Sequence, residues 1–202
     1  QYAYNMKQAA AAGVPVGTYV YSLATTTTEA LKEAQFAIKK MNGYKVSYPV
    51  VYDLEYSKMG ELSPSRIADL ALAFCNEVKK AGYYPMVYCN TNWYDEKVAW
   101  SKLKGLDVWL ARYGDHILAP DRNEYKYTIW QATDGDGGGY LNSTKGLISG
   151  ISSYSNVDVD FGYVDYTKII TSDDDTYEVA YGSDGTTLVL KVAPEKPHQH
   201  YL

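Results

Sequence analysis

Cysteine and phenylalanine are scarce in this chain, with two and three copies among 202 residues, and no long apolar run interrupts it. No stretch approaches the roughly 20 residues needed to cross a bilayer, so no membrane-spanning helix and no membrane partner are expected. Lys and Arg do not cluster, and the net charge is −5. A surface that tracks phosphates is therefore not expected, nor is nucleic acid as a partner. Cys75 and Cys89 allow one disulfide at most. They fall on a predicted helix over 65–80 and a predicted strand over 84–89. If that strand climbs back beside the descending helix, Cys75 stands about 7 Å above the shared turn and Cys89 about 16 Å. A bridge needs Cα atoms within about 7 Å, so two buried free thiols are predicted. Gln1 is not a natural start and no signal peptide is visible, so the sequence reads as an internal or processed piece.

What the chain does have is tyrosine: 22 Tyr and 4 Trp against the 3 Phe. Their rings offer a flat apolar face with a polar tip, which suits sugar rings and equally suits an ordinary tyrosine-rich surface. The 46% hydrophobic content supports one sizeable core and a small appendage.

Helical and strand patterns alternate. A helix is predicted over 2–12, closed by Gly13, then a strand over 14–22. Thr28 is the predicted cap of a helix carrying Leu31, Ala34, Ile38 and Met41 on its apolar stripe and ending at Gly43. Ser63-Pro64 opens a helix with Ile67, Leu70, Ala71, Phe74 and Val78 at helical spacing. Further strands are predicted over 84–89, 107–112, 127–131 and 156–161, with a helical turn over 93–98. This order predicts an α/β fold with a parallel sheet closed as a barrel. Asp134-Gly-Asp-Gly-Gly-Gly-Tyr140 lacks the closing Glu of a calcium loop and reads as a flexible loop.

After Tyr166 the character changes. Strand patterns over 176–180 and 187–192 flank Gly182-Ser183-Asp184-Gly185, a hairpin signal. The hairpin is predicted to dock on the barrel edge, anchored by Ile169-Ile170, and the tail 193–202 to be disordered. His198 and His200 on that tail are not expected to bind metal, and no metal or cofactor is expected elsewhere. The predicted division is 1–166 for the barrel and 167–202 for the extension.

The most informative stretch is Tyr48-Pro49-Val50-Val51-Tyr52-Asp53-Leu54-Glu55-Tyr56. It reads as an apolar strand, buried on both faces, that ends in two carboxylates. Strand side chains alternate, so Asp53 and Glu55 share a face. In α/β folds the carboxyl ends of strands carry function. A pair of acids there is what acid-assisted cleavage of a glycosidic bond requires. A charged strand end facing water is the plain alternative.

Several further segments accompany that strand: Gly17-Thr18-Tyr19-Val20-Tyr21, Tyr88 to Trp93, Trp109-Leu110-Ala111-Arg112-Tyr113, Ile129-Trp130-Gln131 and Val157-Asp158-Val159-Asp160. In this order the chain resembles glycoside hydrolase family 25, the Chalaropsis-type lysozymes or N-acetylmuramidases, over residues 1–166. The resemblance implies an irregular, TIM-like parallel β/α barrel with a C-terminal β-hairpin extension. The family begins with a strand carrying an Asp-x-Ser type motif and then another strand. Neither is found here, which implies a barrel lacking its N-terminal strand or strands.

It also implies roles. Glu55 is the general acid, Asp53 supports the substrate's 2-acetamido group, and Asp158 is a further acidic wall, with Asp160 the weaker candidate. Tyr19, Tyr21, Tyr88, Trp109, Trp130 and Gln131 line the sugar groove, and Arg112 holds a carboxylate. The implied activity is hydrolysis of β-1,4 bonds between N-acetylmuramic acid and N-acetylglucosamine in peptidoglycan. The implied protein is a monomer, secreted or associated with the cell wall, of bacterial or phage origin. A noncatalytic peptidoglycan- or glycan-binding module is the alternative of a different class.

Overall fold

The computed structural model describes residues 1–114, 119–135 and 156–170, together with two strands over 177–181 and 188–192 of which only the backbone is described. Helix α1 spans Tyr2–Ala11, strand β1 Thr18–Tyr21, α2 Thr27–Met41 and β2 Val50–Asp53. They are followed by α3, Pro64–Lys80; β3, Pro85–Asn90; the short α4, Thr91–Glu96; β4, Asp107–Ala111; β5, Ile129–Thr133; and β6, Val159–Gly162. Strands β7, Tyr177–Tyr181, and β8, Leu188–Val192, pair antiparallel as a separate two-stranded sheet. The loop between them, what this segment docks on, the tail after Val192, and most of the Gly-rich run after Asp134 lie outside the described residues.

Six strands form one sheet in the order β1-β2-β3-β4-β5-β6. Neighbours β1 to β5 run parallel, as expected, whereas β6 runs antiparallel to β5. The sheet is also open, not closed: it curls into a half-barrel, so that Thr18 and Tyr19 of β1 and Asp160 and Gly162 of β6 line the same cavity of about 390 Å³. The reversal of β6 has a consequence for the site. An antiparallel neighbour needs no crossover back to the far end of the sheet. The chain enters β6 level with the end of β5, with Val159 opposite Thr133. Asp158 therefore sits at the end of the sheet where β1 to β5 finish.

Alternation sorts the strand residues between two faces. Val50, Tyr52, Val87, Cys89, Leu110 and Trp130 face the helices and join one core with Ala34 and Met41 of α2 and Leu70, Phe74 and Cys75 of α3. The Tyr52 ring stacks on Phe74 with centroids 4.3 Å apart. Cys75 and Cys89 are both buried and free, as predicted. The cap of α2 lies two residues before the predicted one. Thr26 accepts from the Glu29 N–H while the Glu29 side chain returns to the Thr26 N–H, a closed capping box. Ser63 caps α3 with Pro64 in its first turn, as predicted. Strand β1 is shorter than predicted. Val16 already spends its carbonyl on the Ser47 and Tyr48 N–H groups, so regular pairing with β2 begins only at Thr18.

The concave face is closed at the amino ends of the strands. Tyr166, fully buried, packs edge-on with Tyr48 and at a tilt with Tyr84, and both Tyr84 and Tyr166 donate to Asp107 Oδ2, at 2.8 and 2.6 Å. Part of the tyrosine excess is therefore structural: each ring fills space and carries a hydroxyl that satisfies a partner. This floor leaves the carboxyl ends of β1 to β5 open above it.

Candidate active site

Strand β2 is buried along its whole length and delivers Asp53 at its end, only 6% exposed. In register, Asp53 stands between Tyr21 of β1 and Tyr88 of β3, and register partners in a parallel sheet share a face. The ladder runs one step further, because Leu54 N–H donates to the Tyr88 carbonyl at 2.9 Å. Leu54 is thereby turned into the core and Glu55 returned to the face of Asp53, exposed at the mouth of the half-barrel.

Glu55 acts electrostatically on Asp53. Desolvation first, and then the charge of Glu55, pushes the Asp53 carboxyl up to about 7. Desolvation also raises Glu55 above the ordinary carboxylate range. Asp53 Oδ1 is buried with no hydrogen-bond partner. A buried acceptor in that state costs about 1–3 kcal/mol, unless the group is protonated or a donor arrives from a ligand.

Opposite, β5 and β6 supply the other wall. Gln131, 5% exposed, accepts at Oε1 from the hydroxyls of Tyr88 (2.7 Å) and Tyr113 (2.9 Å), and its Nε2 donates to Asp158 Oδ2 at 2.8 Å. Asp158 is raised by desolvation, which the Gln131 hydrogen bond opposes and the charge of Asp134 reinforces. Asp160 accepts from the Trp109 indole N–H at 2.7 Å. Solvent reaches Asp160, yet protein surrounds it within the concavity, and that desolvation pushes it up to about 6. The ion pairs seen among the described residues, Lys102–Asp69 and Lys168–Asp165, lie elsewhere, so these acids are not neutralised by one of them.

Most of the predicted set comes together. Asp53, Glu55, Tyr21, Tyr88, Trp109, Gln131 and Asp158 share the concave face, with Tyr19 further down β1 on the wall of the cavity. Trp130 does not belong to them. Its neighbours Ile129 and Gln131 take the concave face, so alternation sends Trp130 to the opposite one, where it is buried, donates to the Arg112 carbonyl at 2.9 Å and stacks on Phe161. Arg112 follows Ala111 on the outer side, and its charge acts on Tyr125, whose hydroxyl donates to Asp95. Tyr113 was missed, although it closes the segment that begins at Trp109. The available signal was an aromatic hydroxyl just past the carboxyl end of a strand. Among the described residues, no group of three His, Cys, Asp or Glu gathers closely enough to hold a metal ion.

Comparison with known proteins gives this arrangement its relatives. The sequence profile described as "Glycosyl hydrolases family 25" matches residues 1–137. No curated protein matches the chain. Among solved structures, the CTP1L endolysin is similar with a TM-score of 0.65 and 29% identity, covering 87% of this chain and 56% of that one. The catalytic domain of endolysin ply40 from bacteriophage P40 of Listeria monocytogenes follows at 0.60 and 21%, covering 83% and 76%. The Cpl-1 endolysin complexed with a peptidoglycan analogue gives 0.53 and 20%, covering 87% and 46%. The chain thus spans little more than half the length of the CTP1L endolysin.

Proposed function

The chain belongs to glycosyl hydrolase family 25, and on that footing we propose that it hydrolyses the β-1,4 bond between N-acetylmuramic acid and N-acetylglucosamine in peptidoglycan. The observation that carries the reading is the Asp53–Glu55 pair: one acid buried with an unpartnered oxygen, the other exposed at the groove's mouth, both pushed up. The similarity to endolysins, one of them complexed with a peptidoglycan analogue, supports peptidoglycan as the substrate.

In this reading Glu55, its hold on the proton strengthened by desolvation, gives that proton to the glycosidic oxygen. The leaving sugar departs as the acetamido carbonyl of the other sugar bonds to the anomeric carbon. Asp53 Oδ1 accepts the acetamido N–H, which gives that buried oxygen the hydrogen bond it lacks and orients that carbonyl. Water then attacks the anomeric carbon, giving its proton to Glu55, and the acetamido group is released. Asp158 supplies a negative wall facing the positive charge that develops on the sugar. Tyr19, Tyr21, Tyr88 and Trp109 offer the rings along the groove. The work falls to residues 1–166, with 167–202 as an extension, acting at the cell wall.

Release of muropeptides from purified peptidoglycan tests the proposal. Glu55→Gln should lower the rate by about a hundred to ten thousand fold with the fold intact. Undiminished release in that variant removes Glu55 from the mechanism. The exposed rings of Tyr19 and Tyr21 favour a second reading, a glycan-binding module. Calorimetric binding of muropeptides without turnover by the unsubstituted chain would establish it.

A further inference from the structure

The Gln131 amide is held by three side chains from three parts of the fold. Tyr88 comes from β3, Tyr113 from just beyond β4 and Asp158 from the entry to β6. An amide is nearly symmetric in shape, so the chemistry of its neighbours decides which end faces which. Burial pushes both tyrosines above their ordinary range, Tyr113 to about 12, so their hydroxyls stay neutral and able to donate near neutral pH. Two donors converging on one atom require that atom to be Oε1. The N–H end is then turned to Asp158, where an ionised carboxylate accepts and a flipped amide would set oxygen against oxygen.

We infer that Gln131 is a positioning residue that acts through Asp158: pinned by Tyr88 and Tyr113, its amide fixes the Asp158 carboxylate in place and favours its charged form. This rests on the reading of the site as a glycosidase and names the group that orients Asp158 within it. Desolvation and the acids facing Asp158 work against that charged form. Asp134 past the end of β5 and Asp160 on β6 are acids, and Tyr113 is neutral. Among the described residues, the Gln131 N–H is a donor that offsets them. Asp53 has no such donor at Oδ1, so the two buried walls of the site differ in whether protein holds the carboxyl in place. Gln131 is buried and commits both ends of its amide to protein, which sets it apart from the groove rings Tyr19 and Tyr21.

The test titrates Asp158 by carbon-detected NMR on the full chain carrying ¹³C-aspartate, in parallel with kcat and KM against pH. Gln131→Leu should move the Asp158 midpoint upward and carry the acid limb of kcat/KM with it. It should also lower kcat by about a hundredfold, from a misplaced carboxylate, and leave KM within about twofold. Tyr113→Phe removes one of the two donors that pin the amide and should move the midpoint the same way by less. Tyr113 is the more exposed site, so this variant decides the matter if Gln131→Leu fails to fold. An unchanged Asp158 midpoint in the folded variant overturns the inference. So does a rise in KM with kcat preserved, which would make Gln131 a sugar contact. If the unsubstituted chain shows no turnover, the glycosidase reading fails, while the titration still decides the relay.

Discussion

Trp109 on β4 donates its indole N–H to Asp160 on β6 across 2.7 Å, reaching over the whole of β5. Strands two places apart lie about 9.6 Å from each other in a flat sheet. A large side chain and an inward curl together close that distance. The same indole meets the edge of the Tyr88 ring, with centroids 5.1 Å apart. One residue thus ties the ring wall of the groove to its acidic wall.

Trp109→Phe should keep the ring and lose the donor. The Trp109 hydrogen bond pulls the Asp160 carboxyl down against desolvation, so its removal should drive Asp160 further above its present value of about 6. An NMR titration of Asp160 reads this directly. A midpoint unchanged from that of the parent chain would show that the indole hydrogen bond does not act on this carboxyl.

Asp53 predicts how stability depends on pH. Its folded value of about 7 lies above the roughly 4 of an unfolded aspartate, so the native state binds more protons between the two. The stability contribution is fully present below about pH 4 and is lost as pH rises through about 7. Asp53→Asn should abolish that slope. At pH 8 it should exceed the parent chain's stability by on the order of 2–4 kcal/mol, with the two equal near pH 4. Urea titrations across that range check it, and parallel pH profiles for the two proteins would contradict it.

Gly17 tests the joint between β1 and β2. A Cβ at this position would meet the Pro49 carbonyl oxygen at 2.5 Å and the Tyr48 backbone carbonyl carbon at 3.3 Å. Both are backbone atoms, so no flexible side chain can move aside. Gly17→Ala should push the strands apart where Thr18 N–H donates to that same Pro49 oxygen at 3.2 Å. A loss of about 1–3 kcal/mol is expected by thermal unfolding, with tyrosine-lined β1 displaced from the groove. An unchanged melting temperature counts against it.

Trp130 and Trp109 should separate under substitution, although both sit on sheet strands. Trp130→Ala empties a buried site in the main core and should cost about 3–5 kcal/mol, with KM unchanged in the protein that remains folded. Trp109→Ala should instead raise KM for peptidoglycan with a smaller loss of stability. Equal effects on KM would place Trp130 in the groove after all.

The elements were legible because they depend on near neighbours in the chain. The helical spacing of Ile67, Leu70, Phe74 and Val78 and the Ser63-Pro64 opening specify α3 without reference to any other segment. The apolar Val50-Val51-Tyr52 run ending in Asp53 marks a strand covered on both faces. Alternation then puts Asp53 and Glu55 on one face. The cap of α2 was misplaced by two residues because four consecutive threonines offer the same side chain, and only the return bond from Glu29 selects Thr26.

By itself, the sequence determined the α/β order and the pair of acids at the end of β2, since spacing along each segment sets them. It also determined the free state of the two cysteines, since the rise per residue of a helix and the strand after it puts them at different heights. Tertiary structure decided what depends on one strand meeting another. The direction of β6 is not written in Val159-Asp160-Phe161, because an alternating strand reads the same paired either way, yet that direction is what brings Asp158 beside Gln131. The face of Trp130 followed from the register of β5, and a shift of one residue would have exchanged it with Gln131. The proton affinities were decided last and by the fold alone. Asp53, Glu55, Asp158 and Asp160 begin as ordinary carboxyls, and only the curl of the sheet gives each its own measure of burial and its own donor or lack of one.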